Sequence, residues 1–143
     1  MARIKVSTVL DAPPADVWAD VERIATHPEW MADAVGITFL TAQTSGVGTR
    51  FECATKVGPV RLTDVMEITE WSPGRAMGVT HTGLVTGTGR FTLKRASRGR
   101  TLFQWKERLH FPLWMGGPLG AFVSKPILTW VWRRSLRNLH QRF

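Results

Sequence analysis

Three ionisable side chains, Asp64, His81 and Glu107, interrupt the apolar positions of segments that otherwise alternate apolar and polar residues. An imidazole held against a carboxylate has its tautomer fixed and its basicity raised, the arrangement that general acid–base catalysis needs. Whether the three meet depends on hairpin register. If the Ser72-Pro73-Gly74 turn centres its hairpin between Ser72 and Pro73, Asp64 falls directly opposite His81, at cross-strand contact distance. If the next two turns keep the same face inward, His81 faces Gly87 and Glu107 faces Gly89, and the two glycines leave open space beside the polar groups. In that arrangement His81 is the acid or base, Asp64 orients it and Glu107 assists. A His–Asp pair inside a sheet serves equally well as a satisfied core interaction, and a slip of one residue turns all of these side chains outward.

The elements that must position them follow from local pattern. Residues 3–10 read as a strand running into Asp11-Ala12-Pro13-Pro14-Ala15-Asp16-Val17-Trp18, a helix entrance. Proline has φ preset near the helical value and lacks the N–H that a first turn leaves unsatisfied. Val17, Trp18, Val21 and Ile24 then recur at helical spacing. His27-Pro28-Glu29-Trp30-Met31 reads as a short turn or second helix. Strands follow in a meander, roughly 35–41, 49–57, 60–70, 75–82, 85–94 and 101–111. Turn signals separate them: Ser45-Gly46-Val47-Gly48, Gly58-Pro59, Ser72-Pro73-Gly74, Gly83 and Ser97-Arg98-Gly99. Residues 119–143 read as a closing helix, apolar and basic, which Pro126 kinks or starts.

Alternation assigns strand faces. One face collects Phe51, Cys53 and Val57, then Leu62, Met66 and Ile68, then Met77 and Val79, then Phe91 and Leu93, then Phe103, Trp105 and Leu109. The other collects Arg50, Glu52, Lys56, Arg61, Glu67, Arg90, Lys94, Lys106 and Arg108. A sheet apolar on one side calls for a helical cover, and Leu128, Val131, Ser135 and Leu139 supply the stripe for it. Cys53 reads as a small buried hydrophobe, and Trp18, Trp30 and Trp105 as core aromatics. Trp114 differs, because Phe111-Pro112-Leu113-Trp114-Met115-Gly116-Gly117-Pro118 is an apolar loop. It suits a cavity gate, a membrane-touching edge or simple burial.

With 143 residues, 43% hydrophobic and 21% charged, the chain fits one domain, 1–143, with a core of its own. No export signal is visible, and residues 109–124, a long uncharged stretch, hold Pro112, Pro118 and three glycines, too broken for a spanning helix. Cys53 is the one cysteine, and no Cys/His cluster has metal-ligand spacing, so the expectation is a reducing cytoplasm with no metal and no cofactor. His27, His110 and His140 are too dispersed for a triad, and Gly46-Val47-Gly48 lacks the lysine and helix of a phosphate loop. The net charge is +8, and Glu107 is the last acidic residue. Beyond it come Arg108, Lys125, Arg133, Arg134, Arg137 and Arg142. Such a basic end is either a solvated helix face or a contact for a polyanion, an anionic membrane or RNA, through Arg133, Arg134, Arg137 and Arg142.

The order strand, two short helices, meander and basic closing helix resembles the START-like, Bet v 1-like superfamily, which includes polyketide cyclase/dehydratase and lipid-transport proteins. The resemblance is carried by Ala12-Pro13-Pro14-Ala15-Asp16-Val17-Trp18, Pro28-Glu29-Trp30, Gly46-Val47-Gly48, Trp105 and Gly116-Gly117-Pro118-Leu119-Gly120, and it covers essentially the whole chain. It implies an α+β helix-grip fold, a curved antiparallel sheet of six to seven strands wrapped around a long C-terminal helix. It also implies a cavity for an apolar small molecule such as a lipid, sterol, quinone or polyketide. Residues expected to line that cavity are Phe51, Cys53, Leu62, Asp64, Met66, Met77, Val79, His81, Phe91, Phe103, Trp105, Glu107, Trp114, Leu128 and Val131. Relatives include carriers, sensors, cyclases and toxins that act on ribosomes, with no shared catalytic motif. Three readings stand: an apolar-ligand binder, a cyclase or dehydratase using His81 with Asp64 and Glu107, and a basic surface that meets RNA.

Overall fold

The alternating segments fold as seven antiparallel strands in one curved sheet of order β1-β7-β6-β5-β4-β3-β2. The computed structural model describes residues 2–143, and Met1, the first residue of the expected domain, lies outside the described residues. The strands are β1 (Ala2–Leu10), β2 (Ala34–Phe39), β3 (Arg50–Val57), β4 (Val60–Ser72), β5 (Ala76–Thr82), β6 (Thr86–Arg95) and β7 (Thr101–His110). Helix α1 (Pro14–Val21) and a 3-10 helix (Ile24–Glu29) connect β1 to β2, and α2 (Gly117–His140) closes the chain. This is the α+β helix-grip arrangement.

Helix α1 starts as its prolines dictate, with Pro13 extended and Pro14 in the first turn, and it buries Val17, Trp18 and Val21. Ile24 does not continue that stripe. The backbone leaves helical geometry at Arg23, and Ile24 is buried from the 3-10 helix instead. There His27 packs edge-on against Trp30 and Phe91, and its Nε2 donates to the Val21 carbonyl at 2.7 Å. The acceptor is a backbone oxygen, so the bond fixes the tautomer with the proton on Nε2.

The hairpin between β4 and β5 departs from the expected register. Ser72 pairs with Ala76 across a three-residue turn, Glu70 with Gly78, and then Thr69 bulges so that Ile68 pairs with Val79. Met66, not Asp64, therefore stands opposite His81. The turn moves the register by three residues and the bulge returns one, so the net slip is two and His81 still points inward. The next two hairpins pair as expected, His81 with Gly87 and Gly89 with Glu107.

Helix α2 packs chiefly on β1 and, to a lesser extent, on β7. Val131, Ser135 and Leu139 are buried along its inner face, joined by Trp132 and Leu136, while Leu128 is half-buried. Pro126 neither starts the helix nor ends it. It lies inside α2, where it removes one backbone donor from the ladder. At the far end Arg142 forks onto both Asp20 oxygens, at 2.7 and 2.8 Å, and reaches Glu29 at 3.4 Å. Arg142 is thus a clamp between α2 and the α1 region, which corrects its place among the residues free to meet a polyanion.

Burial holds His27 neutral and pushes its pKa down to about 4, against the opposing pull of its bond to Val21. A histidine that protonates more readily unfolded than folded costs stability as pH falls from about 6.5 towards 4. Relative to His27→Gln, the protein is expected to lose about 3 kcal/mol of stability over that window, read from urea unfolding at stepped pH. Parallel curves for the two proteins would contradict a neutral His27.

Candidate functional site

His81 on β5 and Glu107 on β7 are separated by a whole strand, yet His81 Nε2 and Glu107 Oε2 lie 2.9 Å apart and both side chains are buried. The residues of β6 between them explain this. Gly87 stands opposite His81 and Gly89 opposite Glu107, and a Cβ built on Gly89 would overlap the Glu107 carboxylate. Omitting one side chain lets two others meet across an intervening strand.

The other carboxylate oxygen is also held. Trp105 Nε1 donates to Glu107 Oε1 at 2.9 Å, from two residues back on the same face of β7. Trp105 stacks on Trp132 of α2 with 5.0 Å between ring centroids, and Trp132 Nε1 donates to Asp33 Oδ2 at 3.4 Å. A chain of contacts thus runs from β5 through β7 and α2 to Asp33, just before β2. Asp64 joins the same wall differently. It pairs with Cys53 of β3, its Oδ1 lies against the position a Gly83 side chain would occupy, and that oxygen is buried without a hydrogen-bond partner among the described residues. Glu107, not Asp64, is the group that orients His81.

Electrostatics follows from this geometry. Burial works against a charged imidazole, but the Glu107 charge and hydrogen bond, then the Asp64 and Asp33 charges, outweigh it and raise the pKa of His81 above the ordinary 6.5. Asp64 and Asp33 are both raised, chiefly because burial disfavours their ionised forms. Burial also pushes the Cys53 thiol to about 11, so it is an inert neutral group at ordinary pH. No group of three or more His, Cys, Asp and Glu side chains among the described residues is arranged to hold a metal ion.

These polar groups line part of a cavity of about 730 Å³ between the concave face of the sheet and α2. Of the residues singled out from sequence, Phe51, Cys53, Leu62, Asp64, Met66, Met77, Val79, His81, Phe91, Trp105, Glu107, Leu128 and Val131 line it. Phe103 does not. It is fully buried behind the cavity wall, packed on Trp30 and Phe91. Trp114 is placed outside as well, 73% exposed in the 3-10 turn Leu113–Met115 before α2. Sequence reasoning missed Asp33, His27 and Trp132, all of which line the cavity. Asp33 lies in a connector rather than on an alternating strand, so periodicity gave no sign of it. The spacing Trp105-x-Glu107, two polar-tipped residues on one strand face, was the visible hint of an indole–carboxylate bond.

A histidine whose folded pKa is raised contributes stability that is complete below 6.5 and is lost as pH rises through the folded value. In NMR titration His81 should therefore titrate above 6.5, and Glu107→Gln should lower its midpoint. Gly89→Ala, which forces the carboxylate aside, should lower it too and destabilise the fold by roughly 1–3 kcal/mol. An unmoved midpoint in both variants would separate His81 from Glu107 in solution.

The whole chain, residues 1–143, matches the family model described as polyketide cyclase / dehydrase and lipid transport. No curated protein sequence matches it. Among solved structures it is similar to a START superfamily protein from Mycobacterium smegmatis, with a TM-score of 0.82 at 11% identity, covering 99% of this chain and 97% of that one. The protein XoxI from Bacillus cereus gives 0.78 at 16% identity, covering 100% and 96%. A protein from Thermus thermophilus gives 0.77 at 14% identity, covering 98% and 95%. At such identities the likeness is one of fold. Together with the match along its full length, it shows that this chain belongs to the polyketide cyclase / dehydrase and lipid transport family and carries the START-like fold.

Proposed function

We propose that the chain is a single domain, 1–143, that binds an apolar small molecule between the sheet and α2. The observation that carries the reading is the cavity, about 730 Å³ and walled mainly by Phe, Leu, Ile, Val, Met and Trp side chains. That volume lies within the range of small-molecule sites, which are mostly apolar with a few placed polar groups. Here the polar groups are His81, Glu107, Asp64 and Asp33, so the ligand class that fits is an amphiphile. Its hydrocarbon lies along Phe51, Leu62, Met77 and Val79, and its hydroxyl or carbonyl end meets the polar wall. Lipids, sterols, quinones and polyketides all have this character.

The reading is tested by native mass spectrometry of protein purified from its host and by displacement of a fluorescent fatty acid. Leu62→Trp places an indole inside the cavity without disturbing the packed aromatic layer. Displacement should weaken at least ~10-fold, the scale of one misfitted apolar group, while the thermal midpoint stays the same or rises. Unchanged affinity in Leu62→Trp would place the probe elsewhere.

A second reading, acid–base chemistry on a bound polyketide-like substrate, is favoured by one observation. The His81–Glu107 pair and the Asp64 carboxyl lie on the wall of the same cavity. A protonated His81 held by Glu107 is a proton donor, and Asp64, with raised proton affinity, is a second. His81→Gln then separates the readings. It should abolish turnover and leave apolar-ligand binding within about threefold, whereas a pure carrier shows no turnover to lose.

A further inference from the structure

Helix α2 buries one face and should present a polar one to solvent. Its N-terminal half does not. Leu119, Phe122, Val123, Ile127 and Trp130 recur at i, i+3, i+4, i+8 and i+11, which puts them along one stripe, and all five are exposed, Phe122 by 77%. The stripe runs about 16 Å along the axis, at 1.5 Å per residue. Leu113 and Trp114, 87% and 73% exposed, extend it into the turn before the helix. This is an apolar surface with no partner among the described residues, on the side opposite Ala121, Trp132 and Leu139, which face the core.

Two observations say what it meets. First, the stripe changes character without changing face: beyond Trp130 the same side of α2 carries Arg133, Arg134 and Arg137, all exposed, and Arg134 lies over the Trp130 ring at 5.8 Å. No acidic residue occurs after Glu107, so nothing in this helix neutralises them. Second, Ile127, Trp130 and Arg134 also belong to the cavity lining, as do the exposed Pro59 and Val60 of the β3–β4 hairpin. The apolar stripe therefore adjoins the rim of the cavity.

We propose that this face of α2, with the Leu113–Met115 turn, is a docking surface for an anionic lipid bilayer. Leu, Phe and Trp side chains enter the boundary between headgroups and acyl chains, and the arginines meet lipid phosphates, as in interfacial amphipathic helices. The contact is peripheral, since no helix among the described residues is long and apolar enough to cross a membrane. A second copy of the chain fits less well, because a self-paired face would bring Arg133, Arg134 and Arg137 together with no acid between them. RNA would reward the arginines but not Leu113, Leu119, Val123 and Ile127. The inference does not depend on what fills the cavity.

The test is flotation of the full chain with vesicles of phosphatidylcholine alone and with added phosphatidylserine, over a salt series. Binding should need phosphatidylserine and keep a part that survives high salt. Phe122→Asp should weaken it at least ~10-fold, the scale of one buried aromatic. Arg133→Ala and Arg137→Ala should each weaken it roughly 5-fold at low salt. Leu119→Asp replaces Phe122→Asp if that variant fails to fold by circular dichroism. The proposal is overturned if neither vesicle binds, or if the Asp variants bind as the wild type does. It is also overturned if Phe122→Asp instead dissolves a dimer seen by sedimentation, or if RNA is bound and vesicles are not.

Discussion

One helix cannot cover a seven-stranded sheet, and the rest of this structure follows from that shortfall. Every strand from β3 to β7 puts apolar side chains on its concave face, yet α2 packs chiefly on β1 and, to a lesser extent, on β7. Where α2 and the 3-10 helix reach the sheet, the gap closes with stacked and edge-on aromatics: Trp30, Phe91, Phe103, Trp105 and Trp132. These large side chains make a solid layer and hold the helix off the remaining strands. What is left over β3, β4 and β5 is apolar surface facing empty volume. Interiors are normally packed to crystal-like density, and a void of this size forfeits the dispersion contacts its walls could make. The fold carries that cost permanently unless a ligand fills the space.

The His81–Glu107 pair adds a second cost, set into the same wall. Taking a carboxylate and an imidazolium out of water is expensive, and mutual attraction compensates only when geometry is good and the remaining lone pairs are satisfied. Here both conditions hold, because Oε2 receives His81 and Oε1 receives the Trp105 indole. The opening at Gly89 makes the geometry possible. Asp64 has no such support among the described residues, and its unpartnered Oδ1 there is consistent with a carboxyl that stays protonated more easily than usual. A wall with one satisfied pair and one unsatisfied acid gives the cavity a polar direction, which an all-apolar wall would lack.

Most of the architecture was legible in the sequence because each element carried its own local signal. Prolines marked the start of α1, alternation marked the strands to within one or two residues, and glycine-rich turns separated them. The face assignment survived a wrong register for a physical reason. The turn after Ser72 and the bulge at Thr69 each shift the pairing by an odd number, and two odd shifts restore the phase. The sequence held no sign of the bulge, since Thr69 sits in an ordinary β-branched strand context. Partner choice was therefore lost even though direction was kept: His81 was inward as expected, but its neighbour was Glu107. The same limit explains Asp33 and Trp132, which tertiary packing alone brings to the wall. It also explains Arg142, whose role depends on the distance between two chain ends.

The apolar outer stripe of α2 and the cavity rim share residues, and this matters for how anything could enter. Local opening costs least where the fewest apolar contacts and backbone hydrogen bonds must be given up. In α2 that is the stretch from Phe122 to Trp130. Between Phe122 and Trp130 no side chain is fully buried, whereas five are buried between Val131 and Leu139. Pro126 removes a rung of the helical ladder in the same stretch. The C-terminal half is held by Ser135, which accepts from the Ala32 N–H at 2.8 Å, by Asn138 on the Trp30 carbonyl and by the Arg142 clamp on Asp20. The C-terminal half is thus fastened, while residues 122–130, between the buried Ala121 and Val131, are seated less deeply over the cavity. Lifting residues 122–130 would give up fewer buried contacts than lifting the C-terminal half, and an environment that welcomes Phe122 and Trp130 would lower that cost further.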